Sequence, residues 1–387
     1  MKLSKRIAQV NPSSTLQITA KAKRLAASGV DVVGFGAGEP DADTPVSIKQ
    51  KAIEAITEGF TKYTPSTGII ELKEAICKKF KQDNSLSYEP SQIVVSCGAK
   101  HALFNSILAL CDEGDEVIIP SPYWVSYPEM VKVSGAKAVF LKTRQENDFK
   151  FTEKELLSAV SKNTKLLILN SPSNPTGCVY TKQELLKIAD IAKAHDFYII
   201  SDEIYEKLLY DGAEHVSIAS LNEDAYKRTI SVNGVSKTYS MTGWRIGYLA
   251  GPKDFTAVVS ALQDHSTSNP ASISQKAALE ALRGDEKFVA DMREKFLQRR
   301  DIMISRLSAI KGLNPYKPKG AFYVFCDVSG TGLSGSEFTE RLLDKMYVAV
   351  IPGEGFGWPT HIRLSFATSL ENIKKGLERI KNFVGAL

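Results

Sequence analysis

The 387-residue sequence contains no apolar run approaching the ~18 residues that a membrane-spanning helix needs. Its opening stretch, MKLSKRIAQVNPSS, is too polar and too broken to be read as a signal peptide. Cysteine is scarce. Cys77, Cys97, Cys111, Cys178 and Cys326 form an odd set with no Cys-x-x-Cys spacing. That pattern supports neither a disulfide framework nor a zinc site, and points to a reducing compartment, so a cytoplasmic protein is expected. Charge of one sign is also in short supply. The 49 basic residues exceed the 44 acidic ones by a net +5. The pairs Lys78-Lys79 and Arg299-Arg300 lie in helix-like surface patterns, so neither a nucleic-acid nor a membrane partner is expected. Small anionic substrates fit the balance. No internal repeat and no low-complexity stretch is present.

The length favours one large domain and a smaller one. Short β-branched runs alternate with helical patterns, and strands are expected at Ile93–Ser96, Glu116–Pro120, Lys137–Leu141, Lys165–Asn170, Tyr198–Asp202, Thr229–Val232 and Gly247–Ala250. Between two of them, Lys182–His195 carries Leu185, Leu186, Ile188, Ile191 and Ala192 on one helical face. Strands alternating with helices imply a mostly parallel sheet, whose ligands bind at the carboxyl ends of the strands. Polar or aromatic loops follow five of these ends, at Cys97–Lys100, Ser121–Trp124, Ser171–Pro175, Glu203–Tyr205 and Ser236-Lys237. Beyond them come a charged helix over Asp285–Ile310, the run Gly320–Phe325 and a last helix from Leu370. Residues 46–290 are expected to form the large domain. Residues 1–45 and 291–387 are expected to form a small, discontinuous domain able to close on it.

Gly34-Phe35-Gly36-Ala37-Gly38 evokes a dinucleotide loop, but Glu39-Pro40-Asp41 follows, so no helix starts there and the third glycine is misplaced. Lys237 carries a stronger signal. A lysine placed just after a strand among small residues is badly sited for a solvated charge. As a nucleophile it needs its ordinary pKa of about 10.4 lowered. Burial and neighbouring cations do that, and Arg245 is a candidate cation.

Ser236, Lys237 and Arg245, in this order and spacing, resemble the cofactor-lysine motif of the class I, fold type I pyridoxal-phosphate aminotransferases. The resemblance runs from Pro12-Ser13-Ser14-Thr15 to Arg363. It is nearest to the bacterial aspartate aminotransferase subgroup that carries SPYWVSYPEM, unbroken here at 121–130. It implies an α/β fold: a mostly parallel, mixed seven-stranded sheet flanked by helices, plus a smaller α/β domain. It implies pyridoxal 5'-phosphate held covalently by Lys237, with Asp202 opposite the protonated ring nitrogen. Tyr205 and Asn174 would bond the ring's 3-oxygen, although Asn-Pro and Thr-Gly around Asn174 also suit a plain turn. Gly98, Ala99 and Lys100 at a helix N-terminus, with Ser236 and Arg245, would hold the phosphate. Trp124 would stack on the ring. Tyr63 would reach the phosphate from a neighbouring subunit, which implies a homodimer with shared sites.

By the same resemblance, Arg363 and the Gly38 backbone N–H would bind the substrate α-carboxylate. Trp124 and Asn174 would also touch the substrate, and Lys100 would meet a distal carboxylate. Ser13, Ser14 and Thr15 would fold over it. The implied reaction is ping-pong transfer of an amino group from L-aspartate to 2-oxoglutarate, giving oxaloacetate and L-glutamate. Lys237 would be the general base. No second arginine is well placed for the distal carboxylate. An aminotransferase for aromatic or neutral amino acids, or a β-lyase of the same fold, is the alternative. Prephenate use goes with a basic residue before the Pro-Ser pair, where this chain has Asn11.

Overall fold

The computed structural model describes residues 4–12, 14–284 and 286–387, without the side chains of residues 14 and 16. β1 (Val33–Gly34) comes first. β2 (Ile93–Ser96), β3 (Glu116–Ser121), β4 (Lys137–Lys142), β5 (Thr164–Asn170), β6 (Tyr198–Asp202), β7 (Thr229–Gly234) and β8 (Gly247–Ala250) follow. They form one sheet in the order β2-β8-β7-β6-β5-β3-β4. β8 runs antiparallel to both its neighbours, while β7, β6, β5, β3 and β4 are mutually parallel. All seven expected strands are present, some a residue or two longer.

Except at the partly exposed edge strand β4, their apolar runs follow from burial on both faces. Val117, Ile119, Leu166, Ile168 and Ile200 pack on one side with Leu103 and Ile107 of the helix Ala99–Leu110. Ile118, Leu167, Leu169 and Ile199 pack on the other with Leu185 and Ile188 of the helix Lys182–Ala194. That helix starts where Thr181 accepts the Glu184 N–H and Glu184 accepts the Thr181 N–H at 2.7 Å. Its buried face includes Ala189, while Leu186 is only half-buried.

The rest of the chain builds a second region. β9 (Asn314–Pro315), β10 (Tyr323–Asp327), β12 (Ile351–Pro352) and β13 (His361–Ser365) make an antiparallel sheet in the order β12-β13-β10-β9. β11 (Val348–Ala349) pairs in parallel with β1. The long charged helix spans Lys287–Ser308, shorter than expected at its C-terminal end, while Asp285 lies outside the described residues. One buried cluster joins Val33 and Phe35 to Phe296, Leu342, Ile380 and Phe383. The same cluster takes in Ile204, Tyr205, Leu208 and Tyr210, so the chain leaving β6 packs into the second region. Among the described residues, no helix is long and apolar enough to cross a membrane.

Candidate active site

The topology brings the ends of β2, β3, β5, β6 and β7 to one edge of the large sheet. Between this edge and β10 and β13 lies a cleft of about 270 Å³.

Lys237, just past β7, reaches into it and donates from Nζ to the Gly38 carbonyl at 2.5 Å. By surface area the side chain is half-buried, because one flank forms the cleft wall. The amine itself is enclosed. Loss of water lowers its pKa to about 8; Arg245 and Arg363 act in the same direction, against Glu39 and Asp202. An amine at about 8 has roughly a tenth of its population unprotonated at neutral pH, where an ordinary lysine has almost none.

Asp202 is the last residue of β6 and is buried. Tyr127 donates its O–H to Oδ2 at 2.6 Å, and the Ile204 N–H reaches Oδ1 at 3.3 Å. Burial lifts the carboxyl to about 6; these two donors and Lys237 hold it below where desolvation alone would leave it, while Glu203 pushes it up. It is therefore ionised at neutral pH, and a cation in the cleft would stabilise that form further.

The helix Ala99–Leu110 opens on Gly98, at φ +86°. A Cβ on Gly98 would collide with the Arg245 guanidinium, and one on Gly247 with the backbone nitrogen of Ala99. Two glycines thus let the strand, the helix start and the arginine crowd together. Arg245 donates to the Thr242 carbonyl at 2.8 Å and to the Cys97 carbonyl at 3.4 Å. Helix N–H groups without intrahelical partners, the buried Ser236 hydroxyl and this cation suit a phosphate-sized dianion.

Arg363, in the middle of β13, is 2% exposed. It donates to Asn174 Oδ1 at 2.9 Å and to the Gly36 carbonyl at 3.0 Å. Its guanidinium lies 4.3 Å from the Tyr323 ring centre and 5.1 Å from that of Phe356. Among the described residues its Nε has no partner and no carboxylate pairs with it. Burial lowers its pKa, so a ligand carboxylate would relieve a real electrostatic cost. Tyr205 shares a 2.9 Å hydrogen bond with Tyr323, and burial raises its hydroxyl well above the ordinary range. The Lys100 ammonium sits 4.9 Å from the Trp124 ring centre. Its stem is open to solvent at the cleft mouth, yet loss of water on the concave side, with Arg245 nearby, lowers its pKa.

Gly38, Ala99, Lys100, Trp124, Asn174, Asp202, Tyr205, Ser236, Lys237, Arg245 and Arg363 all line this cleft, and Gly98 packs behind it against Arg245. Tyr63 does not: it is 92% exposed. Thr15 is at the wall, while Ser13 and the side chain of Ser14 lie outside the described residues. Tyr127, Asn170 and Tyr323 also line the cleft and were not singled out from sequence. Tyr127 lies three residues past Trp124 in the same string, but that spacing does not name Asp202 as its partner.

A buried ion network supports the turn after Asp202. Glu206 pairs with Lys79, accepts from Asn84 at 2.8 Å and lies 3.8 Å from His215. Burial alone would raise its carboxyl; Lys79, His215 and Asn84 outweigh it and hold the group at about 2. A carboxyl depressed in the fold stabilises it above the ordinary carboxyl range, and that contribution drains away as pH falls from about 4.5 towards 2. Lys79→Met is expected to cost about 3–5 kcal/mol of unfolding free energy at pH 7. It should also flatten the acid slope of stability in that window. Urea melts at several pH values check both.

The fold and the cleft define an α/β enzyme of the pyridoxal-phosphate type. The family model of class I and II aminotransferases matches residues 30–380, and the chain belongs to that family. It is 51% identical over 391 residues to the aspartate aminotransferase of Geobacillus stearothermophilus, with 100% of both chains covered. It is 46% identical over 396 residues to the aspartate/prephenate aminotransferase of Cereibacter sphaeroides, covering 100% of this chain and 99% of the other. Among solved structures it matches the aspartate aminotransferase of Thermus thermophilus with maleate at a TM-score of 0.95 and 46% identity, with 99% of each chain covered.

Proposed function

We propose that this chain transfers the amino group of L-aspartate to 2-oxoglutarate by a ping-pong route, with pyridoxal 5'-phosphate as cofactor. The products are oxaloacetate and L-glutamate. The observation that carries the reading is a buried Arg363 guanidinium that no carboxylate among the described residues pairs with, in the same cleft as the enclosed Lys237 amine. Full-length identity of about half to proteins named aspartate aminotransferase supports the choice of amino acid.

When bound, the cofactor supplies an electron-poor ring that draws charge from the amino acid's Cα. The protein's residues do the rest. Lys237 holds the cofactor and, once released from it, takes the Cα proton on Nζ; its lowered basicity suits neutral pH. Asp202 gives the ring nitrogen an anionic partner that keeps it protonated. Tyr205 and the Asn174 amide N–H would bond the ring oxygen. Trp124 would stack on the ring and exclude water. The start of the helix Ala99–Leu110, with Ser236 and Arg245, holds the phosphate. The Arg363 fork and the Gly38 N–H take the α-carboxylate. Lys100 attracts the distal one, so Lys100→Ala should cut kcat/KM for aspartate by about tenfold and leave alanine nearly unchanged. Steady-state kinetics on both substrates measure this.

Borohydride reduction followed by peptide mass analysis tests the reading, together with assays on aspartate, alanine, phenylalanine and, as acceptor, prephenate. A pyridoxyl group on residue 237 and a strong preference for aspartate are expected. Aspartate turnover no better than that of alanine would overturn the substrate.

The active unit in this reading is a homodimer. Val46, Ile53, Ile56, Tyr63 and Ile70 are exposed along one stretch of chain, and a second copy covering them would bring Tyr63 to its neighbour's phosphate. Residues 46–290 act as one body and residues 1–45 with 291–387 as the other, supported by the shared cluster of Phe35 with Phe296 and Ile380. Five free cysteines suit the cytoplasm.

A further inference from the structure

We propose that Tyr127 is a positioning residue of this reaction: its hydroxyl locks the Asp202 carboxylate in one orientation while its ring edge braces Trp124. The inference rests on the roles given above to Asp202 and Trp124.

Asp202 has few other restraints. Its Oδ1 is met by the Ile204 N–H at 3.3 Å, a long contact, whereas its Oδ2 accepts from Tyr127 at 2.6 Å. Hydrogen bonds to an ionised acceptor are the short, strong ones. Among the described residues, four charged or titratable groups bear on this carboxylate. They are Tyr127 from the helix Tyr127–Ser134, Glu203 and Tyr205 just beyond it in the chain, and Lys237 from the loop after β7. Of these only Tyr127 bonds it directly through a side chain. Burial, then Asp202 itself, raises the Tyr127 hydroxyl well above its ordinary range, so it stays protonated and donates.

The same residue also holds Trp124. The Tyr127 N–H closes a turn on the Trp124 carbonyl at 3.0 Å. The two rings meet edge to face at 5.3 Å and 82°. One turn of chain therefore sets both the aromatic plate and the anion that would meet the ring of the cofactor. Tyr127 also fills the core on one side of the sheet. Phenylalanine keeps that filling and the ring edge, and removes only the O–H.

Tyr127→Phe, purified as holoenzyme, is expected to lose roughly tenfold in kcat with aspartate. The acid limb of its kcat/KM profile should move to higher pH, because ionised Asp202 has lost its main donor. Its cofactor should leave faster during gel filtration in phosphate buffer, a readout independent of turnover. In an Asp202→Asn background the second change should add almost nothing. An acid limb and a release rate equal to wild type, or fully additive losses in the double variant, would overturn the proposal. Borohydride labelling of wild-type Lys237 is run alongside. If labelling succeeds and the acid limb stays put, Tyr127 is a filler and the reading of the cleft stands. If labelling fails, that reading falls first.

Discussion

Lys237→Ala is expected to lose transamination by roughly 10⁴-fold or more while keeping its fold. Among the described residues the side chain hydrogen-bonds only to the Gly38 carbonyl, and its enclosure costs stability rather than adding to it, since burial works against the ammonium. Truncation therefore removes a destabilised charge and should leave the melting temperature equal to or above that of the wild-type apoprotein. No pyridoxyl group should be fixed to residue 237 by borohydride, and the absorbance of the covalently held cofactor should vanish with the activity. Loss of activity with labelling retained elsewhere on the chain would place the reactive amine at another lysine.

Arg363→Ala is expected to lower kcat/KM for aspartate and alanine alike by roughly 30- to 5000-fold, the range for truncating one partner of a buried charge pair at about 2–5 kcal/mol. The equality is the informative part. Both substrates present the same α-carboxylate, and the guanidinium that would meet it is fixed from the protein side by Asn174 and the Gly36 carbonyl. Its two aromatic neighbours, Tyr323 and Phe356, leave little room to reorient. Arg363→Lys should recover little, because a point ammonium cannot replace a fork that binds the protein and the ligand together. A loss confined to aspartate would assign Arg363 to the distal carboxylate instead.

The large sheet was legible because its inner strands are buried on both faces and so read as unbroken apolar runs, as in Leu166–Leu169; only the edge strand β4 is largely exposed. The two-residue strands β1, β9, β11 and β12 were not legible, because a stretch that short contains no period and its pairing is decided by distant chain. Positions such as Lys237, Asp202 and Arg363 stood out through motif order. Tyr127 and Tyr323 did not, since what makes them part of the cleft is the residue each meets: Asp202 for one, Tyr205 and Arg363 for the other. Local sequence is silent about such partners. Tyr63 marks the opposite limit, a residue read from resemblance that one chain alone leaves in solvent.

The pairing of β1 with β11 carries a consequence for biosynthesis. Val33 and Phe35 leave the ribosome long before Val348 and Ala349, their strand partners, are made. Gly376, in the final helix, presses so closely on Phe35 that a methyl group there would collide with it. During translation the large sheet is complete while these two apolar side chains still wait uncovered, a time when nascent chains are open to aggregation and to chaperones. Removal of the helix from Leu370 onward would take that cover off Phe35 for good, so such a truncated chain is expected to aggregate more readily than the full one.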